Sequence, residues 1–382
     1  MSAFQSPVSP PWWRDEQILK VIFQIAFAVA VLLSMLGLYR NLTVGLDQLD
    51  LSLGFGFLTN SANFGISEGI PYDPAESYLK AFLVGAVNTL YVSVASILLA
   101  TLMGLILGMA RLSSNLLARK LAAVVTEAFR NVPVLLIIIF WYQAVILQLP
   151  GVRDSYSFLG IFYVNQRGVF FPSLNPSGWL LPMLALLAGV FWLRRLRPDR
   201  PSWIKNILTA VGVLLVILAF YVWAPQDPLQ IQVPELTRFN FRGGAQFSAE
   251  FTGVMLGLVT YTGAYIAEVV RGSFLAVPRG QWEASRAIGL NELAAFRRVI
   301  VPQALRIMIP SLTTQYLTLI KNTTLAIAVG YSDLFNISTT IINQSGRSIE
   351  VFAIMITTYL IVNLMVATGM NWMNERVKLV ER

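Results

Sequence analysis

The chain has 382 residues, 56% of them hydrophobic and 13% charged, a formal net charge of +8 and a mean hydropathy of +0.64. A soluble domain needs far more surface charge than this, so lipid is the solvent for most of the chain. With neither Cys nor His, thiol nucleophiles, disulfides, histidine metal ligands and Ser-His-Asp chemistry are excluded. In such a chain a basic excess anchors cytoplasmic loops against anionic lipid and does not indicate nucleic acid.

At about 20 mostly apolar residues per crossing, the sequence predicts an all-α polytopic membrane protein with about eight spans. The first four centre on Ile18 to Tyr39, Phe82 to Met109, Pro133 to Leu149 and Trp179 to Leu193. The other four centre on Ile207 to Trp223, Phe251 to Val270, Ile307 to Val329 and Val351 to Met370. The first has basic flanks, but its apolar run is too long for a signal peptide and lacks a small-residue cleavage site, so it reads as an uncleaved anchor. In the second, "GLILG" sets Gly104 and Gly108 one turn apart on a single face, open to close approach by another helix. The fourth is short and contains Pro182, so a re-entrant or tilted segment is its alternative.

Cations gather in every second loop. Arg111, Arg119 and Lys120 follow the second span, Arg194, Arg195, Arg197, Arg200 and Lys205 the fourth, and Arg271, Arg279, Arg286, Arg297, Arg298 and Arg306 the sixth. Those loops, and with them both termini, are expected in the cytoplasm. The alternate loops, such as "GFGFLTNSANFGISEGIPYDP", carry Gly, Pro, Asn and aromatic residues.

Ionisable residues in or beside a span are costly unless paired, about 2.5–3.5 kcal/mol at a helix centre on insertion scales. Three clusters stand out: Glu127, Arg130 and Asn131 at the opening of the third span, Glu268 and Arg271 at the end of the sixth, and Lys321, Asn322 and Thr323 within the seventh. The first two share the spacing Glu-x-x-Arg, which puts both side chains on one helical face. Each is either a self-satisfied ion pair near water or part of a solute path, with Arg meeting a carboxylate and Glu an ammonium. Lys321 has no acidic neighbour in sequence and must find its partner elsewhere.

Between the sixth and seventh spans, "QWEASRAI" reads as a short helix stopped by Gly289, followed by a second helix capped by Asn291, with Glu292 in its first turn and Arg297 and Arg298 late. Pro302 is expected to mark a bend into the next span. Periodicity alone leaves two choices, an amphipathic loop on the headgroups or a docking hairpin. Glu283, Ala284 and Ser285, then Gly289, Val299, Val301 and Pro302 resemble the EAA loop of binding-protein-dependent ABC importer permeases. That loop runs Glu-Ala-Ala, three residues, Gly, nine residues, Ile-x-Leu-Pro. The spacing agrees throughout, with Ser285, Val299 and Val301 as small or apolar departures. "TEAFRNVPVLLIIIFWYQ", "TGAYIAEVVRGSFLAVPRGQWEASRAIGL" and "PQALRIMIPSLTTQYLTLIKNTTLA" resemble the polar amino-acid branch, and the extra N-terminal span and central insertion resemble the larger permeases of general L-amino-acid importers.

This resemblance implies a type I importer permease whose five-helix core is the second, third, sixth, seventh and eighth spans. It divides the chain into an anchor and external loop (1–81), the first part of the core (82–149), an insertion with two extra spans (150–250), and the second part of the core (251–382) with its coupling loop at 279–306. It implies a bacterial inner membrane location, an amino-acid substrate, a second permease, two cytoplasmic ATPase subunits that hold ATP and Mg, and an external solute-binding protein. The chain itself carries no cofactor on this reading. By the same resemblance Glu283 makes the polar contact to the ATPase, Ala284 and Ser285 allow close approach, and Gly289 shapes the turn. An ion-coupled secondary amino-acid transporter is the alternative, though no paired broken helices in two related halves are visible. The sequence holds no GxxxxGK[ST] motif, so the usual phosphate cradle is missing.

Overall fold

The computed structural model describes residues 15–48, 54–176, 206, 209–216, 229–237 and 240–377. The fourth predicted span, Trp179 to Leu193, lies outside the described residues, as does the fifth apart from a helical stretch at 209–216. The chain divides into two compact units, Met1–Leu58 and Thr59–Arg382. In the first, α1 (Glu16–Gln48) is long and apolar enough to cross a membrane.

In the second unit α2 (Tyr78–Leu112), α5 (Ala249–Leu275) and α10 (Ser348–Val377) are each single helices of spanning length. Two further crossings are bent. α3 (Leu116–Arg130) meets Val134–Gln148 at 106°; the latter opens as α4 (Val134–Ile139), widens into a π turn (Phe140–Val145) and tightens into a 3₁₀ turn (Ile146–Gln148). The third span is therefore not the plain helix expected over Pro133 to Leu149. Pro133 lacks an N–H and steers Val132 away from helical geometry, so α3, with apolar residues on one side, ends at Arg130 and a new segment starts.

The seventh span is likewise broken. α8 (Val301–Asn322) passes into a 3₁₀ helix (Thr323–Val329), and α9 (Leu334–Ser345) follows at 55°. The hydroxyls of Thr323 and Thr324 donate back to the carbonyls of Ile320 and Lys321 at 2.8 and 2.9 Å, competing with regular helical bonding. Asp333 then caps α9 by accepting from the Asn336 N–H at 2.8 Å.

The core is the α2–α5 contact. A side chain at Gly104 would lie 2.4 Å from Ile266, and one at Gly108 would lie 2.7 Å from Val270, so "GLILG" is a packing seam as its spacing predicts. The seam has a counterpart the sequence reading did not single out: Gly253 and Gly257 let Tyr142 and Ile138 seat against α5. Lipid tails are as apolar as Leu, so helices gain little from burying apolar surface there, and such close van der Waals contact carries the association.

The insertion is not purely helix and loop. β1 (Tyr156–Phe158), β2 (Phe162–Asn165), β3 (Gly168–Phe171) and β8 (Ala245–Ser248) form an antiparallel sheet in the order β1-β2-β3-β8. β4 (Ser173–Pro176) pairs β5 (Leu229–Gln232), and β6 (Glu235–Leu236) pairs β7 (Phe241–Arg242). β8 runs directly into α5, whose first turn Ser248 caps by accepting from the Phe251 N–H at 2.9 Å. The sheet thus stands at the N-terminal end of α5, and the 279–306 hairpin follows its C-terminal end.

Candidate functional site

The hairpin consists of α6 (Arg279–Ala287), a tight turn, α7 (Glu292–Ala295), and a π turn (Phe296–Ile300) leading into α8. Gly289 has φ +80. Its N–H donates to the Arg286 carbonyl at 2.9 Å and that of Leu290 to Ser285 at 3.1 Å, the Schellman pattern in which a left-handed residue satisfies the last carbonyls of a helix. Asn291 accepts from the Ala294 N–H at 2.8 Å, and Arg286 joins Glu292 across the turn at 2.7 Å.

A small core of its own stiffens the hairpin. Val277, Ile300 and Ala304 are buried, with Phe274, Trp282, Phe296 and Val299 packed around them. The rings of Phe274 and Phe296 stack at 5.6 Å. Trp282, which the family motif leaves unspecified, rests in this core, and Arg286 staples the turn. Glu283 and Ala284 face outward, beside the exposed Ile288 and Leu293. Ser285 is 2% exposed and its hydroxyl donates to the Trp282 carbonyl at 2.8 Å, so its small side chain lies on the inner side of the hairpin. Pro302 also differs from expectation. It lies just beyond the π turn Phe296–Ile300, and helical structure continues through it from Glu292 to Val329.

Next to the hairpin the charges form one network. Arg111, in the last turn of α2, donates to Glu268 at 2.7 Å and lies 3.7 Å from Glu127. Arg130 reaches Glu127 at 3.6 Å, and Arg271 grips both carboxylate oxygens of Glu268, its Nε donating to each at 3.2 Å. Arg130 also lies over the Tyr265 ring, 5.3 Å from its centroid. The two Glu-x-x-Arg pairs are therefore real, and they are also joined across three helices by a residue that sequence reasoning missed. The only available signal for Arg111 was its place at the end of a span, since its partner Glu268 is 157 positions away. Asn131 caps α3 through its backbone N–H, which donates to Glu127 at 3.2 Å.

Lys321, Asn322 and Thr323 do not join this network. They sit where α8 gives way to the 3₁₀ helix, about 30 Å along α8 from Val301 at 1.5 Å per residue. Thr323 is buried, while Lys321 is exposed.

A bundle of helices long and apolar enough to cross a membrane, carrying a self-braced polar hairpin, is the architecture of a multi-pass membrane protein. The chain belongs to the family of binding-protein-dependent transport system inner membrane components, whose model matches residues 100–379. It is 38% identical over 393 residues to the general L-amino acid transport system permease protein AapQ of Rhizobium johnstonii, covering 100% of this chain and 96% of that one. It is also 38% identical over 371 residues to the putative amino-acid ABC transporter permease protein YhdX of Escherichia coli, covering 94% of each. Identity to the glutamate/glutamine/aspartate/asparagine transport system permease protein BztB of Rhodobacter capsulatus is 32% over 416 residues, 96% of each. Among solved structures, that of an amino acid ABC transporter with histidines superposes with a TM-score of 0.48 at 18% identity, covering 78% of this chain and 95% of that one. Membership of the family sets aside the ion-coupled alternative.

Proposed function

We propose that this chain is the permease subunit of an ATP-driven amino-acid importer in a bacterial inner membrane, with the hairpin end cytoplasmic and the sheet end outside. The observation that carries this reading is identity over essentially the whole length, insertion included, to a general L-amino acid permease. The chain works with a second permease, two ATPase subunits that bind ATP and Mg, and an external solute-binding protein; it catalyses nothing and binds no nucleic acid. The hairpin docks on the ATPase through Glu283, Ala284 and the exposed Ile288 and Leu293, with Gly289 and Pro302 fixing its shape. A stiff hairpin passes on a displacement that a mobile loop would absorb.

Glu127, Arg130, Glu268 and Arg271, with Asn131 closing α3, act chiefly as a brace for the hairpin-bearing helix, because their charges are met within the chain. Lys321, Asn322 and Thr323, where α8 passes into the 3₁₀ helix, remain the better candidates for lining the path. The test is uptake of labelled amino acids by vesicles containing the purified complex. Uptake should require the solute-binding protein, ATP and the ATPase subunit. Full uptake driven by an ion gradient without ATP would overturn the reading.

A further inference from the structure

At the sheet end lies a cavity of about 850 Å³, within the range of small-ligand sites. Elements far apart in sequence build it: the loop before α2, the outer half of α2, the turn between β2 and β3, the start of α5, and Tyr331 beyond the 3₁₀ helix. Two carboxylates converge on it. Glu68 is half-buried against the α5 cap, where Ser248 bonds its side chain. Glu250, in the first turn of α5, accepts from the Tyr142 hydroxyl at 3.1 Å.

The placement of Glu68 is built in. Gly69 has φ +101, and a Cβ there would strike the Asn88 side chain at 2.2 Å. The loop can press this closely onto α2 only with Gly at that position. Asn88 is fixed in turn, donating to the carbonyls of Glu68 at 3.2 Å and Ser332 at 2.8 Å while its own carbonyl accepts from the Tyr331 hydroxyl at 3.0 Å. Neither Glu68 nor Glu250 forms an ion pair among the described residues. Burial first, and then the Glu250 charge, push the Glu68 carboxyl up to about 7 against the opposing Ser248 bond.

Two like charges in a partly enclosed space favour a cation between them. Calcium or magnesium needs six or more oxygen ligands, and among the described residues no group of three His, Cys, Asp or Glu is poised to hold a metal ion. An ammonium needs only a few acceptors. Tyr91, Val94, Leu147 and Phe251 supply apolar wall for the rest of a solute, and Arg167 also lines the cavity.

We infer that this cavity receives the α-ammonium group of the transported amino acid on the outer side, with the Glu68 and Glu250 carboxylates as its ligands. The inference rests on the amino-acid reading of the previous section. Its test is equilibrium binding of tritiated L-glutamine and L-lysine to the intact transporter complex in nanodiscs, without the external binding protein. Saturable binding is expected, with Glu68→Gln and Glu250→Gln each weakening it at least roughly tenfold, the factor that 1.4 kcal/mol corresponds to. Glu68→Asp should retain part of it. On the unaltered complex, glutaramic acid, which is glutamine without its α-ammonium, should fail to compete. Absence of binding to the unaltered complex, equal competition by glutaramic acid, or unchanged affinity in both Gln variants would each overturn the inference. Those results leave the importer reading intact if ATP-driven uptake with the binding protein persists, whereas loss of that uptake from the unaltered complex counts against the importer reading itself.

Discussion

Two clusters of charge, one at each end of the bundle, are held in opposite ways. At the hairpin end five charged residues answer one another across α2, α3 and α5, and a sixth and seventh, Arg286 and Glu292, clasp the turn. At the sheet end Glu68 and Glu250 face a cavity with hydrogen bonds but no ion pair among the described residues. Charges satisfied internally fix geometry, while charges left facing a cavity hold interaction energy in reserve for something that arrives. One end is therefore suited to passing on movement and the other to receiving a solute.

The contrast is broken most severely at Arg111. Its side chain is 13% exposed, so Arg111→Ala leaves two carboxylates without their shared partner. It should lower the stability of the complex by about 2–3 kcal/mol, the upper range for a charge-assisted bond. Thermal unfolding in nanodiscs measures this, and the added Glu268→Gln change should recover part of the loss.

Gly289→Asp attacks the hairpin without touching the network. A non-Gly residue in left-handed geometry costs about 1–2 kcal/mol, and no neighbour lies within 4 Å of the missing Cβ, so the chain still folds and inserts. Uptake should fall by roughly tenfold or more, since 1.4 kcal/mol of lost docking is tenfold in occupancy, with membrane abundance unchanged on immunoblots.

At the sheet end the sign of the pH dependence is opposite to that of stability. Because the folded pKa of Glu68 is raised to about 7 from 4.5, its proton is favoured in the folded state, and its contribution to stability declines as pH rises from 4.5 through 7. The carboxylate that binds an ammonium appears over the same interval. Solute binding should strengthen about tenfold from pH 6 to pH 8 and lose that slope in Glu68→Gln. Glu250 on α5, Tyr91 on α2, Arg167 in the β2–β3 turn and Tyr331 share the cavity; of these, Glu250 supplies the charge that raises Glu68. The smallest effect belongs to Arg286→Ala. With side chains 61% and 78% exposed, the Arg286–Glu292 pair contributes roughly 0–1 kcal/mol, and uptake should change by less than about fivefold.

Much of the hairpin was legible because its signals are local. A Gly that ends a helix, an Asn that caps the next and a fixed interval to Pro302 all fall within 30 residues. "GLILG" was legible for the same reason. What escaped depends on partners distant in the chain. Arg111 looks like any cation at the end of a span, and the inward placement of Ser285 shows only once Trp282 folds over the small core beside it. The bends at Asn131–Pro133 and Gly330–Asp333 defeat a count of apolar residues, because composition measures length and not direction. The sheet did leave a trace: "FYVNQRGVFF" sets β2 and β3 around Gln166 and Arg167, with Asn165 accepting from the Arg167 N–H at 2.8 Å, a two-residue hairpin signal.

The continuous helical run from Glu292 through Pro302 to Asn322, with a π turn at Phe296–Ile300 and Pro310 within it, joins the second arm of the hairpin and the core of the seventh span into one rod. At 1.5 Å per residue it is about 45 Å long. Pivoting such a rod about its hairpin end by about 10° would swing its far tip by about 8 Å, enough to open or shut a passage the width of an amino acid. That tip is Lys321–Asn322, at the entrance to the 3₁₀ helix. Under the proposed function, leverage of this kind lets a small closure among the ATPases act on the solute's route from the opposite side of the bilayer.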